Sequence, residues 1–569
     1  MAQNPQPDYK NEGILLPPVI PQIKDWPIAK LLKDNRPFVE EVKRDSLHEL
    51  HLLMQREDQQ IHDLVEQTLY KERLRISEDP WRVDPKDEGK FWREVRQELV
   101  RLEQLQIDPT SFQQRNEELM DRIVSRFTEE IAGRFKPNTY HFAKRFLPFV
   151  FSTLLNASAG KTIKSVIYHR IGLQEKVHMR GEIERMRELT KKGIVILVPT
   201  HISNVDSIIV GWGLHALGLP AFTYGAGLNL YNSPILAYFM NRIGTYKVDR
   251  RKKNPIYMTC LNSYARLAIS HGCHSLFFPG GTRSRTGEIE KKLKLGLLGS
   301  AMEAQRREFL DDGNQRKLFV IPVVMSYHFV LEAASLIRQH LKYTGKEHYY
   351  LHDDEFGSYS KFLSFVWKSF GTKSDITLSF GKPMDMFGNF VDEEGVSYDL
   401  HGRPLDIKGY FMSQGKVTRD DQRDAAYTRQ LGERIIERYH AENHVFSSHL
   451  VAYVAFKLLA RKNPSLDLYG LLRLPEEERI LELKPYLETV DRVLARLREM
   501  ADNGKVFLSQ HLNTNTMAIV EHGISNLGVY HDKRPLSLSK DNSTLLSQSM
   551  NLLYYYHNRL VGYQLEHVI

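Results

Sequence analysis

The chain has 569 residues, 42% hydrophobic and 26% charged: ordinary globular proportions, and a length that calls for two or three structural units. A formal net charge of +8 and a pI near 9.0 favour acidic partners, such as phosphorylated metabolites, anionic lipid head groups or nucleic acid, without choosing among them. With only Cys260 and Cys273 a disulfide framework is not indicated, and a reducing compartment fits.

The start, "MAQNPQPDYK", has no apolar signal core, and Pro17, Pro18, Pro21 and Pro27 punctuate the stretch after it. Residues 38 to about 136 read as helical, with Ile61, Leu64, Val65 and Leu69 at helical spacing and a two-proline break at Ser77–Glu88. The apolar segment Phe146–Leu155 follows Lys144 and Arg145. It is too short to span a bilayer and fits either a buried helix containing Pro148 or a segment lying in a membrane surface. From about 160 to 390, short β-rich runs ("IVILV", "YKV", "SLFF", "LFVIPVV", "ITLSF") are separated by helical segments. From about 420 the texture is helical again. The chain thus reads as a helical N-terminal region (1–140), an α/β domain with a mainly parallel sheet flanked by helices (141–420) and a helical C-terminal region (421–569). There is no internal repeat, zinc-type spacing, P-loop or dinucleotide glycine fingerprint, and no apolar run reaches the roughly 18 residues of a spanning helix.

Two stretches carry polar chemistry at strand ends. In "VPTHISNVDS" the run Ile194–Val198 stops at a proline, and His201 and Asp206 follow. Within one regular helix, five residues would set the two side chains roughly 140° apart. They meet if His201 lies in the loop and a helix begins near Ser203 or Asn204, with Asp206 in its first turn. A neutral imidazole held by a carboxylate suits a general base; the plainer alternative is a capping Asp and a turn His. In "LFFPGGTRSRTGEIEKKLKLG" an expected strand, Ser275–Phe278, ends at Pro279, Gly280 and Gly281. Arg283 and Arg285 can grip a phosphate through charge-assisted, forked hydrogen bonds, with Lys291, Lys292 and Lys294 adding field; an exposed basic turn fits equally. Two further stretches flank these. Tyr224–Arg251 holds Gly225, Gly227, Asn229 and a strand-like "TYKV" before Asp249, Arg250 and Arg251. Leu318–Glu332 is an apolar run whose Pro322 favours a strand edge or end.

Together these stretches resemble the glycerolipid acyltransferase family, and in particular the branch typified by glycerol-3-phosphate acyltransferase. His201 and Asp206 match its H-x4-D block. Ala226, Gly227, Asn229 and Leu230, then Gly244 through Arg250, match the second block. Gly281, Arg283, Ser284, Arg285, Thr286 and Gly287 match the third, and Ile321 and Pro322 the fourth. "FSSHLVAYVAFKLLA" (Phe446–Ala460) is similar to that branch's C-terminal region. One position departs: the third block normally carries Glu before its Gly, and here that residue is Gly280. Glu288 and Glu290 are the nearby acids that could replace it.

The resemblance implies acyl transfer from acyl-CoA or acyl carrier protein to the sn-1 hydroxyl of glycerol 3-phosphate, giving lysophosphatidate. The phosphate would dock on Arg250, Arg283 and Arg285, with Lys247 or Lys294; Gly227, Asn229, Gly281, Ser284 and Pro322 would shape the pocket. His201 would take the hydroxyl proton and Asp206 would hold its tautomer, with no metal or redox cofactor. The acyl groove would draw on Phe146–Leu155 or Pro234–Phe239. A peripheral place on the cytoplasmic face of the cell membrane is expected. Three alternatives stay open: 1-acylglycerol 3-phosphate as acceptor, which "KVDR" and "PGGTRSR" partly suit; dihydroxyacetone phosphate; and a degenerate, non-catalytic membrane-surface relative, because of Gly280. Nucleic acid is disfavoured, since the arginines come with no aromatic stacking platform.

Overall fold

A computed structural model describes residues 15–104, 108–144, 177–232, 234–310, 315–344, 375–529 and 531–569. The segment Phe146–Leu155 lies outside them.

Five helices open the chain: α1 (Pro27–Leu32), α2 (Arg36–Glu57), α3 (Ile61–Glu78), α4 (Glu88–Gln104) and α5 (Pro109–Ile131). Their sequence periodicity becomes a buried stripe on each. In α2 Phe38, Val42, Ser46, Leu50 and Met54, four apart, face inward. At the start of α5, Pro109 takes the first position and Asp108 accepts the Ser111 N–H at 2.9 Å.

The sheet has seven strands: β1 (Val177–Gly181), β2 (Ile194–Pro199), β3 (Thr223–Gly227), β4 (Thr245–Val248), β5 (Ser275–Leu276), β6 (Leu318–Tyr327) and β7 (Ile376–Phe380). Their order is β1-β7-β6-β2-β5-β3-β4. The five strands β6, β2, β5, β3 and β4 run parallel; β7 pairs antiparallel with β6, and β1 parallel with β7. All six residues of β2 are buried, as expected of a strand covered on both faces. The helices of this part are α6 (Ile183–Lys192), α7 (Asp206–Ala216), α8 (Pro234–Met240), α9 (Pro255–Ser270), α10 (Gly296–Glu308) and α11 (Ala333–Thr344). After them come α12 (Asp421–Ala441), α13 (Ser447–Lys462), α14 (Leu483–Asp502), α15 (Thr516–Asn526) and α16 (Met550–His557). Among the described residues no helix is long and apolar enough to cross a membrane.

Packing divides the chain differently from its texture. One hydrophobic core joins the sheet to the C-terminal helices, from Val177 through Tyr453 to Leu565. A second joins the N-terminal helices to α9, where Tyr257, Cys260 and Tyr264 meet Phe127 and Phe38. Both cysteines are free and buried.

Three local expectations are corrected. Pro322 lies inside β6, which is flanked on both sides by β2 and β7. The sheet tolerates it because its carbonyl, and so the side on which an N–H would point, faces Gly381, one residue past the end of β7. The strand expected over Ser275–Phe278 ends at Leu276, and Phe278 turns to pack on His201. Helix α7 begins at Asp206, not near Ser203 or Asn204; Val205 at its N-cap offers no side-chain bond, and Asp206 reaches back to the amides itself.

A buried ion network fastens the N-terminal helices to the loop after β4. Arg75, with a side chain 3% exposed, pairs with Glu72 at 2.9 Å, Asp84 at 3.4 Å and Glu88. Arg251 donates to Asp249 at 2.9 and 2.7 Å and to Asp84 at 3.1 Å, and lies over the Trp81 ring at 4.4 Å. Lys252 pairs with Glu130 at 2.5 Å and Glu88 at 3.4 Å. Removing Arg251 would leave Asp84 and Asp249 partly uncompensated. Arg251→Ala is therefore expected to destabilise the protein by about 3 kcal/mol or more. Arg250→Ala should change stability by less than about 0.5 kcal/mol; chemical denaturation of both variants checks the contrast.

Candidate active site

Strand β2 delivers His201 to the C-terminal edge of the parallel strands, where open α/β sheets bind ligands. Its ring Nδ1 lies 2.9 Å from Asp206 Oδ2. The same Oδ2 accepts the Ile202 and Ser203 amides at 2.6 and 2.9 Å, and the Tyr327 hydroxyl donates to Oδ1 at 2.5 Å. Asp206 is fully buried, so these four donors replace its lost hydration. With the carboxylate accepting throughout, Nδ1 must carry the proton, which leaves the Nε2 lone pair for a substrate. The ring packs on Phe278, centroids 4.3 Å apart, and its side chain stays 14% exposed. The His201 peptide is clamped on both sides: its N–H donates to Glu290 Oε1 at 2.7 Å, and its carbonyl accepts the Ser284 N–H at 2.7 Å.

Glu332, a residue given no role from sequence, stands behind the His201 loop with a side chain 2% exposed. It accepts the Ser203 hydroxyl at 2.9 Å, the Asn204 amide at 2.8 Å and Arg283 Nη1 at 3.4 Å. One carboxylate thus ties the His loop to the first arginine of the Arg-Ser-Arg turn. Tyr327 and Glu332 both sit at the far end of "LFVIPVVMSYHFVLE"; polar residues closing an apolar strand were the available signal.

The candidate cations separate. Arg250 and Arg283 are close enough to repel each other. Solvent reaches Arg250, yet crowding by protein and then the like charge of Arg283 lower its pKa from the ordinary value. Two mutually repelling guanidiniums, on strand ends with β3 between them, make a candidate anion site. The Tyr224 phenol, raised in pKa by burial, hydrogen-bonds Ser207 and lies by Arg250. Arg285 lies near His340 of α11. Lys294 is exposed, its stem over the turn where Gly281 adopts φ +77°, and its amide donates to the Pro279 carbonyl at 2.6 Å. Lys247 stands apart. It lines a cavity of about 290 Å³ against the N-terminal helices, with Asp84, Glu130, Tyr231 and Asp249, and desolvation lowers its pKa. Ser284 spends its hydroxyl inside the turn, on the Glu288 carbonyl and the Gly287 amide. Gly227 is buried at the end of β3, Asn229 lies on the turn Leu228–Asn232 just beyond it, and Pro322 is in the sheet opposite Val198.

The departure at position 280 has a spatial counterpart. A Cβ on Gly280 would lie 3.1 Å from Glu290 Cγ and 3.2 Å from Glu290 Oε1, so Glu290 already fills that space. Glu288 turns outward to Lys291 at 2.7 Å. The C-terminal region closes the site from the other side. Asn558 donates to the Thr286 carbonyl at 2.8 Å, and Gly287, at φ +83°, abuts the Tyr555 carbonyl so closely that a Cβ would fall 2.3 Å from it.

A His–Asp pair and two arginines thus gather at the C-terminal edge of one run of parallel strands: His201 after β2, Arg283 after its neighbour β5, and Arg250 after β4, with β3 between the two arginine strands. Residues 180–326, which hold all four, match the family model described as Acyltransferase. This part of the chain is similar to the acyltransferase family. Around these residues the similarity extends to curated relatives. A glycerol-3-phosphate acyltransferase of Ectopseudomonas mendocina is 28% identical over 349 residues, 61% of this chain and 36% of the relative. One of Pseudomonas paraeruginosa is 28% identical over 223 residues, 39% of this chain and 24% of the relative. The chain therefore spans about a quarter to a third of the length of the curated relatives it matches. Among solved structures, the 1-acyl-sn-glycerophosphate (LPA) acyltransferase PlsC from Thermotoga maritima matches with 14% identity and a TM-score of 0.23. It covers 60% of this chain and 85% of that one, a score too low to bear on the fold.

Burial pushes the Glu290 carboxyl up to about 7 from 4.5. A group raised in the folded state stabilises most below its unfolded value and loses that contribution as pH rises through the folded one. Between pH 4.5 and about 7 Glu290 thus withdraws up to about 3 kcal/mol. Glu290→Gln is expected to gain stability relative to wild type as pH rises from 5 to 8, read from paired denaturation curves. At the base itself, Asp206→Asn should cost about 10²- to 10⁴-fold in kcat, because an amide holds the tautomer poorly.

Proposed function

We propose that this protein moves a fatty acyl group from a thioester donor, acyl-CoA or acyl carrier protein, to the sn-1 hydroxyl of glycerol 3-phosphate. The observation that carries this reading is His201, with Nε2 free and Nδ1 on Asp206, at the end of the strand next to that of Arg283, which in turn acts on Arg250. The arginines hold the phosphate and so place the glycerol hydroxyl at Nε2. His201 takes its proton as the oxygen attacks the thioester carbonyl, and Asp206 stabilises the imidazolium that forms. Collapse of the tetrahedral intermediate expels the thiolate, which receives the proton from His201. The products are lysophosphatidate and the free thiol carrier. No covalent acyl-enzyme is needed.

The product is a lipid, and the basic chain suits an anionic surface on the cytoplasmic face of the cell membrane. Phe142 and Tyr238, 54% and 50% exposed, lie on either side of Phe239, with Arg242 over the Tyr238 ring; they would face that surface or the acyl chain.

Purified protein offered acyl-CoA and acyl carrier protein against glycerol 3-phosphate, 1-acylglycerol 3-phosphate and dihydroxyacetone phosphate tests the reading. Transfer to glycerol 3-phosphate is expected. Transfer confined to the monoacyl acceptor would replace it, and an inert wild type would remove it. His201→Ala should lower transfer by at least about 10²-fold with unchanged circular dichroism. Arg283→Ala should raise the KM for glycerol 3-phosphate about tenfold or more.

A further inference from the structure

Glu290 is a buried acid that the proposed transfer does not use. The residue is partly exposed, but its Oε2 is buried without a hydrogen-bond partner, while Oε1 holds the His201 N–H at 2.7 Å. Four groups face this carboxylate: the His201 amide, Asp206, the Tyr439 phenol and Arg559, the cation that acts on it. Arg559 is buried too. It donates to the Met325 carbonyl at 2.7 Å, Ser326 Oγ at 3.3 Å and Asn443 at 2.8 Å, and its Nη1 has no partner. Two unsatisfied charged atoms beneath one catalytic peptide are costly to keep, so a role other than packing accounts for them best.

The neighbour of this acid is Gly280. Its backbone is outside the left-handed region that would demand glycine. What crowds a side chain there is Glu290, with its Cγ at 3.1 Å and its Oε1 at 3.2 Å from where a Cβ would lie. A carboxylate at this place can be delivered from either position, and the chain delivers it from 290.

We propose that Glu290 is a positioning residue for His201: supplied into the space left by Gly280, its carboxylate fixes the His201 peptide and offsets the positive charge the imidazole gains during transfer. Gln at 290 keeps the shape and the acceptor oxygen but removes the charge. Ala removes both, and Glu at 280 can restore the carboxylate once 290 is truncated.

This inference rests on the acyl-transfer reading, and the experiment separates the two. Wild type, E290Q, E290A, G280E and G280E/E290A are compared for kcat and KM with the acceptor that wild type uses, across pH 5.5–9, and for thermal stability. E290Q should lose at least tenfold in kcat with KM for the acceptor within twofold, melt no lower than wild type at pH 8, and shift the acid limb of the kcat profile. G280E alone should lose activity through crowding, and G280E/E290A should regain most of what E290A loses. E290Q with wild-type kcat, or a double variant no more active than E290A, overturns the proposal alone. A wild type inert with every acceptor overturns the acyl-transfer reading and this proposal with it.

Discussion

Asp206 gathers donors from three parts of the chain onto two oxygens: the His201 ring, the amides that precede α7, and the Tyr327 hydroxyl at the end of β6. A buried carboxylate persists only where such donors return what water would have supplied. That demand reaches into the topology. Tyr327 arrives only because β6 runs parallel to β2, so that both strands end on the same edge. Glu332, a few residues further along, arrives by the same route and carries the constraint on to Arg283. His201, Asp206 and Arg283 therefore share one hydrogen-bonded frame.

Five of the seven strands were legible as short β-rich runs broken by helical segments, and the helical N-terminal region because its stripes repeat at 3.6 residues; β1, VHMRG, and β3, TYGAG, carry no such run. His201 and Asp206 were legible as polar residues at a strand end, though α7 starts later than the capping residues Ser203 and Asn204 imply. The cation assignment was less so. Arg250 and Arg251 are neighbours of identical chemistry, and only the ion network, which engages Arg251 with Asp84 and Asp249, leaves Arg250 toward Arg283. Lys247, three residues before Arg250 and still on β4, lines a cavity against the N-terminal helices together with Asp249, two residues on and so on the same face. Glu332 and the contact between Gly280 and Glu290 depend on loops meeting in space, which residue spacing does not encode.

The C-terminal helices read as a separate textural region, yet they are part of the site's support. Tyr439 of α12 donates to the Val198 carbonyl at 2.8 Å, Arg559 to Met325 on β6, and Asn558 to the Arg-Ser-Arg turn. Buried apolar residues of α13, from Leu450 to Leu459, extend the same core. Residues of the C-terminal helices thus pack into the same core as the sheet and reach the end of the His201 strand.

Helix α9 belongs to the N-terminal core, whereas the strands it connects, β4 and β5, belong to the sheet. The loop between β4 and α9 carries Arg250 and is held by Arg251 and Lys252 to acids of the N-terminal helices. The two cores therefore meet at the loop that carries Arg250. Loosening the N-terminal helices would slacken the Arg250 loop while leaving the His–Asp pair and Arg283, framed by the other core, in place: in the proposed reaction the two arginines would draw their rigidity from different reservoirs.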